Sequence, residues 1–142
     1  LQASNANSVK VSEENLNIIK RAMEKVSLDE FGTGRNFRLG IKGVEMAGKT
    51  GTVQVRRIST KERESEEGVI KNEDRIWEWR DHALYVGYAP MDKPRYAISV
   101  IVEHGGSGSS KAGPIARDIM EATLTDDPTR FIPKNPIKKP LI

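Results

Sequence analysis

Apolar residues at Leu16, Ile19, Met23 and Val26 recur at three- and four-residue intervals, the spacing that lines up one face of a helix. Ser12 stands where an N-cap belongs. Glu13 and Glu14 fall in the first turn, where the helix dipole favours negative charge, and Val11 can pack across the cap onto Leu16. The pattern predicts a helix over residues 12–27 whose apolar face must pack on something. Glycines at 32, 34, 40 and 43 then break the periodicity, which predicts turns with a short strand at 37–41. Residues 52–58, TVQVRRI, are β-branched and roughly alternating and predict a strand. Two more strands are expected at 83–89 (ALYVGYA) and 96–103 (YAISVIVE). The PMDKPR between them carries two prolines and an aspartate, as a tight reversal does, so the pair should form an antiparallel hairpin. The second strand is almost continuously apolar, which predicts a central position with layers on both faces. A last helix is expected over 111–124, with Pro114 tolerated in its first turn and Ile115, Ile119, Met120 and Ala122 available for packing.

The remaining stretches are polar. Charged residues dominate 59–81 (KERESEE, then KNEDR), with only Val69, Ile70, Ile76, Trp77 and Trp79 appreciably apolar, so this segment is expected to be a long, exposed and mobile excursion. Residues 125–142 carry four of the seven prolines and read as an extended or disordered tail. The organisation expected is therefore one folded portion over 1–124, interrupted by the excursion, and a Pro-rich tail over 125–142.

Composition narrows the partners. The 142 residues have the length of one domain, and their 23 basic and 20 acidic residues are interspersed, so the net charge of +3 forms no basic stripe of the kind that binds nucleic acid. No apolar run approaches the roughly 18 residues of a membrane span, and LQASNANSVK lacks the basic-then-apolar order of a signal peptide. Neither a span nor an export signal is expected within this sequence. The absence of cysteine excludes disulfide and thiolate chemistry and leaves the compartment open.

The candidate chemistry lies in GVEMAGKTGTVQV, residues 43–55, which satisfies two incompatible motifs. Gly43, Gly48, Lys49 and Thr50 fit G-x-x-x-x-G-K-[ST], the phosphate-cradling P-loop. That loop works only when a helix follows and presents its N-terminus to the anion, and GTVQVRRI is a poor helix and a good strand. Lys49, Thr50 and Gly51, followed by Thr52, fit K-T-G instead, which needs a strand beginning at the motif. There Lys49 supplies a fixed positive charge, Thr50 and Thr52 supply hydroxyls two apart on one face, and Gly51 leaves room for a substrate to approach the backbone. Such an edge suits a carboxylate.

In context, GKTGTVQV, a long charged insertion, DHALYVGYAP, a hairpin, YAISVIVEHGGSGSS and KAGPIARDIM together resemble the C-terminal part of the transpeptidase domain of class B penicillin-binding proteins, most closely the elongation type. The resemblance runs from about residue 11 to 124. It implies an α+β fold, part of the serine transpeptidase/β-lactamase-like fold, with an antiparallel sheet packed between helices and the K-T-G strand lining the active site. It implies acyl transfer through a serine, no cofactor and no metal, with peptidoglycan stem peptides, β-lactam antibiotics and elongation cell-wall synthesis proteins as partners and no nucleic acid. It further implies a catalytic domain in the periplasm of a protein of the bacterial inner membrane. Carried onto this chain, Lys49 and Thr52 take catalytic roles. Lys49 gives electrostatic help near the proton-transfer groups, and the Thr52 N–H is one of two oxyanion donors. Lys49, Thr50, Gly51 and Thr52 together form the substrate-binding edge, the two threonine hydroxyls meeting the terminal carboxylate.

The family's nucleophile motif S-x-x-K and its S-x-N motif do not occur in the sequence. The chain is therefore expected to be the C-terminal piece of a longer enzyme, inactive alone and exposing apolar surface that favours self-association. K-T-G does not by itself separate a transpeptidase from a serine β-lactamase or a penicillin-sensing receptor domain, and a non-catalytic binding fragment also fits. His82 and His104 read as structural histidines at strand ends, Gly105, Gly106 and Gly108 as a connection into the last helix, and Trp77 and Trp79 as anchors for the returning strand or a docking surface.

Overall fold

A computed structural model describes residues 10–66 and 68–126. The first helix, α1, spans Glu13–Leu28 and opens as the sequence predicts, with the Ser12 hydroxyl accepting from the Asn15 N–H at 3.3 Å. Its end is closed by Arg38, whose guanidinium donates to the carbonyls of Ser27 (2.7 Å) and Leu28 (2.9 Å), two of the acceptors that a helix C-terminus leaves unpaired. A single 3₁₀ turn, Arg35–Phe37, stands where a short strand at 37–41 is expected. It plugs Phe37 into the core rather than extending the sheet.

Three strands form one antiparallel sheet in the order β1 (Ala47–Val53), β2 (His82–Ala89), β3 (Tyr96–Val102). The hairpin of β2 and β3 is as expected from the two apolar runs. The central position expected for the second of them is not: β2 is central and β3 lies at an edge. The face of β3 bearing Tyr96, Ile98, Val100 and Val102 packs on the core, whereas Ile101 on the other face is 63% exposed and Val86 beside it on β2 is 46% exposed. A continuous apolar run predicts two covered faces, and among the described residues only one is covered here.

The final helix, α3 (Gly113–Asp126), follows a π-helical turn, Gly108–Ala112, and packs on β2 and β3. It buries Ala116, Met120 and Leu124, one residue per turn at four-residue spacing, together with Ala112 from the preceding turn. Of the expected packing residues only Met120 is buried; Ile115, Ile119 and Ala122 stay exposed. Phe37 meets Tyr85 edge-on at 5.3 Å beneath this helix, an arrangement that aligns the positive ring edge with the negative face. On α1, which packs on β1, Met23 and Val26 are half-buried and Ser27 is buried, while Leu16, Ile18 and Ile19 remain exposed.

The charged excursion is ordered by polar bonds. It contains a short helix, α2 (Thr60–Glu64), and two 3₁₀ turns, Asn72–Asp74 and Trp77–Trp79. Glu62 pairs bidentately with Arg56. Arg75 is buried at its centre and donates to the Ile70 carbonyl (3.0 Å), Asn72 Oδ1 (3.4 Å) and both Asp81 carboxylate oxygens (3.1 and 3.2 Å). Asp81 in turn accepts from the Val55 N–H, which ties the excursion to the end of β1. Of the tail expected over 125–142, residues 125 and 126 instead complete the last turn of α3, and the remainder lies outside the described residues.

Candidate active site

Antiparallel pairing places Lys49 opposite Val86, Thr50 opposite Tyr85, Gly51 opposite Leu84 and Thr52 opposite Ala83. Paired residues share a face of the sheet, so the two threonines stand together on the core side, and Lys49 stands on the side of Val86. The strand begins at Ala47 and stops at Val53, so K-T-G lies inside it, whereas the sequence places the strand at 52–58. Alanine, glycine and lysine are weak strand formers, and the ladder to β2 imposes extension on them. With a strand and no helix after Thr50, the P-loop reading of Gly43, Gly48, Lys49 and Thr50 fails.

The direction of the backbone groups follows from both ends of β1. The Glu45 carbonyl accepts from Met91 N–H (2.9 Å) and the Val55 N–H reaches Asp81 (3.3 Å), both on the β2 side. Alternation between these odd-numbered positions turns the N–H and C=O groups of Lys49, Gly51 and Val53 toward β2, and those of Thr50 and Thr52 outward. No other strand pairs with that outer edge among the described residues. The Lys49 amine folds back onto it and donates to the Thr50 carbonyl at 2.7 Å.

Two neighbours that sequence reasoning missed hold this edge. The Thr33 hydroxyl bonds the Thr50 hydroxyl at 3.0 Å, a contact across 17 residues that no local pattern signals. Gly108 lies against the β1–β2 seam so closely that a Cβ there would collide with the carbonyl oxygens of Leu84 and Gly51, so only glycine fits. Between these two supports runs an open cleft of about 540 Å³, lined by Thr33, Arg35, Asn36, Ser109, Ser110 and Pro114. The serine hydroxyls at its rim bond locally, Ser107 to Ser109 at 2.9 Å.

Behind the strand, Tyr85 is fully buried, and burial pushes its phenol up to about 12, with the Ser27 side chain opposing more weakly. Tyr88 is raised as well, by burial first and the Glu24 charge second. His82 and His104 pack together as a turn: His82 Nδ1 accepts from the His104 N–H (2.8 Å), and the His104 ring bonds the Arg80 carbonyl. The Trp77 ring meets the His104 ring at 4.3 Å with a 53° tilt, consistent with an anchor for the returning strand, although both tryptophans remain more than half exposed.

Residues 1–121 match the family model described as the penicillin-binding protein transpeptidase domain. The chain is 38% identical over 105 residues to the peptidoglycan D,D-transpeptidase MrdA of Haemophilus influenzae, covering 74% of this chain and 15% of that protein. It is 37% identical over 120 residues to the enzyme of the same name from Acinetobacter baumannii, covering 84% of this chain and 16% of that protein. Among solved structures it resembles Pseudomonas aeruginosa PBP2 in complex with WCK 5153, with a TM-score of 0.61 and 30% identity over 90% of this chain and 24% of that one. It also resembles Helicobacter pylori PBP2 in complex with MreC, with a TM-score of 0.61 and 28% identity over 81% of this chain and 18% of that one. The chain thus spans about one-sixth of the length of these two enzyme relatives.

Proposed function

The chain belongs to the penicillin-binding protein transpeptidase family, and from that premise we propose that it forms the K-T-G wall of an elongation-type peptidoglycan D,D-transpeptidase. The observation that supports this reading is the placement of Lys49, Thr50, Gly51 and Thr52 on an edge strand whose outer backbone groups face no other strand among the described residues. A serine elsewhere in the enzyme attacks the carbonyl between two D-alanines of a stem peptide. The Oγ–C bond forms, the C–N bond breaks and D-alanine leaves; an amine of a second stem peptide then takes the acyl group and regenerates the serine. A β-lactam acylates the same serine by opening its ring amide.

In that reaction the Thr52 N–H, directed outward, donates to the oxyanion that develops in the tetrahedral intermediate. Lys49 adds positive charge beside the proton-transfer groups, for which its amine must leave the Thr50 carbonyl it now bonds. The Thr50 and Thr52 hydroxyls bind the terminal carboxylate of the donor peptide. Gly51 keeps the approach to the strand open. The S-x-x-K nucleophile and S-x-N motif, absent from these 142 residues, are supplied by another part of the enzyme.

The exposed faces fit the same proposal. Leu16, Ile18 and Ile19 on α1 and Val86 and Ile101 on the sheet are surfaces that the remainder of the transpeptidase domain covers, which restores the second covered face expected of β3. Among the described residues no helix is long and apolar enough to cross a membrane. The enzyme's site of action is proposed to be the periplasm, beside an inner-membrane anchor and the elongation machinery.

The test is the second-order rate of acylation by a fluorescent penicillin in the complete enzyme. Lys49→Ala and Thr52→Pro, which remove the cation and the N–H respectively, should each lower it by about a hundredfold or more. Rates near wild type in both would reject the assignment.

A further inference from the structure

We propose that Thr33 is a positioning residue for the donor-peptide carboxylate, acting through the Thr50 hydroxyl; this rests on the K-T-G reading above. The two hydroxyl oxygens are 3.0 Å apart, and either could be the donor in the structure as it stands. A bound carboxylate removes that ambiguity. An ionised carboxylate only accepts hydrogen bonds, so Thr50 must point its single proton at the substrate. Its oxygen then needs a donor from behind, and Thr33 is placed to be that donor. The result is a directed chain in which Thr33 gives its proton to Thr50 Oγ1 and Thr50 gives its own to the carboxylate. A hydroxyl that accepts one bond donates a stronger one, because each bond polarises the next.

The local structure holds Thr33 in place for this role. It lies in the reversal after α1, where the Gly34 N–H donates to the Val26 carbonyl at 2.8 Å, the Gly32 N–H to the Asp29 carbonyl at 3.0 Å and the Arg35 N–H to the Gly32 carbonyl at 3.2 Å. Three backbone bonds within four residues fix the loop against the end of the helix, which Arg38 closes from the other side. Thr33 thereby lines one wall of the cleft beside β1, and its side chain reaches across to the K-T-G strand. In the sequence, Gly32 and Gly34 on either side of Thr33 signal only a break in periodicity.

The experiment measures acylation of the complete enzyme by a penicillin carrying its free carboxylate and by the same penicillin with that carboxylate esterified. Thr33→Val keeps the shape and removes the donor; it should slow acylation by the free acid by about fivefold, the worth of one hydrogen bond between neutral groups, and leave the ester unchanged. Thr33→Ser keeps the hydroxyl and should restore most of the rate. In a Thr50→Val background the Thr33→Val change should add little, because the chain is already broken. If Thr50→Val slows the free acid while Thr33→Val matches wild type, the positioning role is overturned and the K-T-G reading stands. Equal slowing of acid and ester by Thr33→Val, or a failure of serine to rescue, shows a purely structural role and also overturns it. If neither Thr33→Val nor Thr50→Val has any effect, both readings fall.

Discussion

The Lys49 amine donates to the carbonyl of Thr50, its own neighbour, and so lies along the free edge of the K-T-G strand. The bond is exposed, and exposed side-chain bonds contribute little to folding. Lys49→Met should therefore leave the stability of the chain within about 0.5 kcal/mol of wild type by urea denaturation. A larger loss would mean that the lysine serves the fold, and its effect on acylation could no longer be read as chemistry.

Arg75 and Asp81 make the opposite case. Arg75 is buried, its partners are two carboxylate oxygens, an amide oxygen and a carbonyl, and Asp81 links this cluster to Val55 at the end of β1. Arg75→Leu should cost on the order of 3 kcal/mol, because it strands a largely buried carboxylate and breaks the turns from 70 to 81. Urea denaturation measures the loss, and hydrogen exchange should show faster exchange across that segment.

The excursion shows where the sequence was legible and where it was not. The helix capped by Ser12 and the hairpin of ALYVGYA and YAISVIVE were readable because caps, short apolar runs and a proline-marked reversal are local signals. KNEDRIWEWRD read as solvated charge because its order depends on Arg75 meeting Asn72 and Asp81 in three dimensions. The start of β1 was missed for the same reason: Ala47, Gly48 and Lys49 extend because Tyr88, Gly87 and Val86 pair with them. Of the candidate site, Lys49, Thr50, Gly51 and Thr52 are singled out by their motif alone. Thr33 and Gly108, which brace it, come from distant parts of the chain and carry no motif of their own.

Tyr85 gives the core a pH limit. Its phenol ionises at about 12 in the fold against an ordinary value of 10.0, because burial disfavours the phenolate. A raised value means that the stabilisation is complete below about pH 10 and is lost as the pH climbs through about 12. Phenolate absorbance should show Tyr85 and Tyr88 titrating late, together with a fall in melting temperature over that window. In Tyr85→Phe the titration at about 12 should disappear and the fall should diminish.

The bare faces predict association. Ile18 is 60% exposed on α1 and Ile101 63% exposed on β3, and both lie on surfaces that no element among the described residues covers. The isolated chain should sediment as oligomers at high concentration, and Ile18→Lys with Ile101→Lys should shift it toward monomer. A concentration-independent monomer before substitution would argue that these faces are tolerated in water.

The most direct test of the central claim is the position of the acyl group. Peptide mapping of the complete enzyme after reaction with a β-lactam should find one adduct, on a serine that begins an S-x-x-K motif and lies outside these 142 residues. An adduct on a serine of this chain, such as Ser109 or Ser110 at the rim of the cleft, would contradict the account.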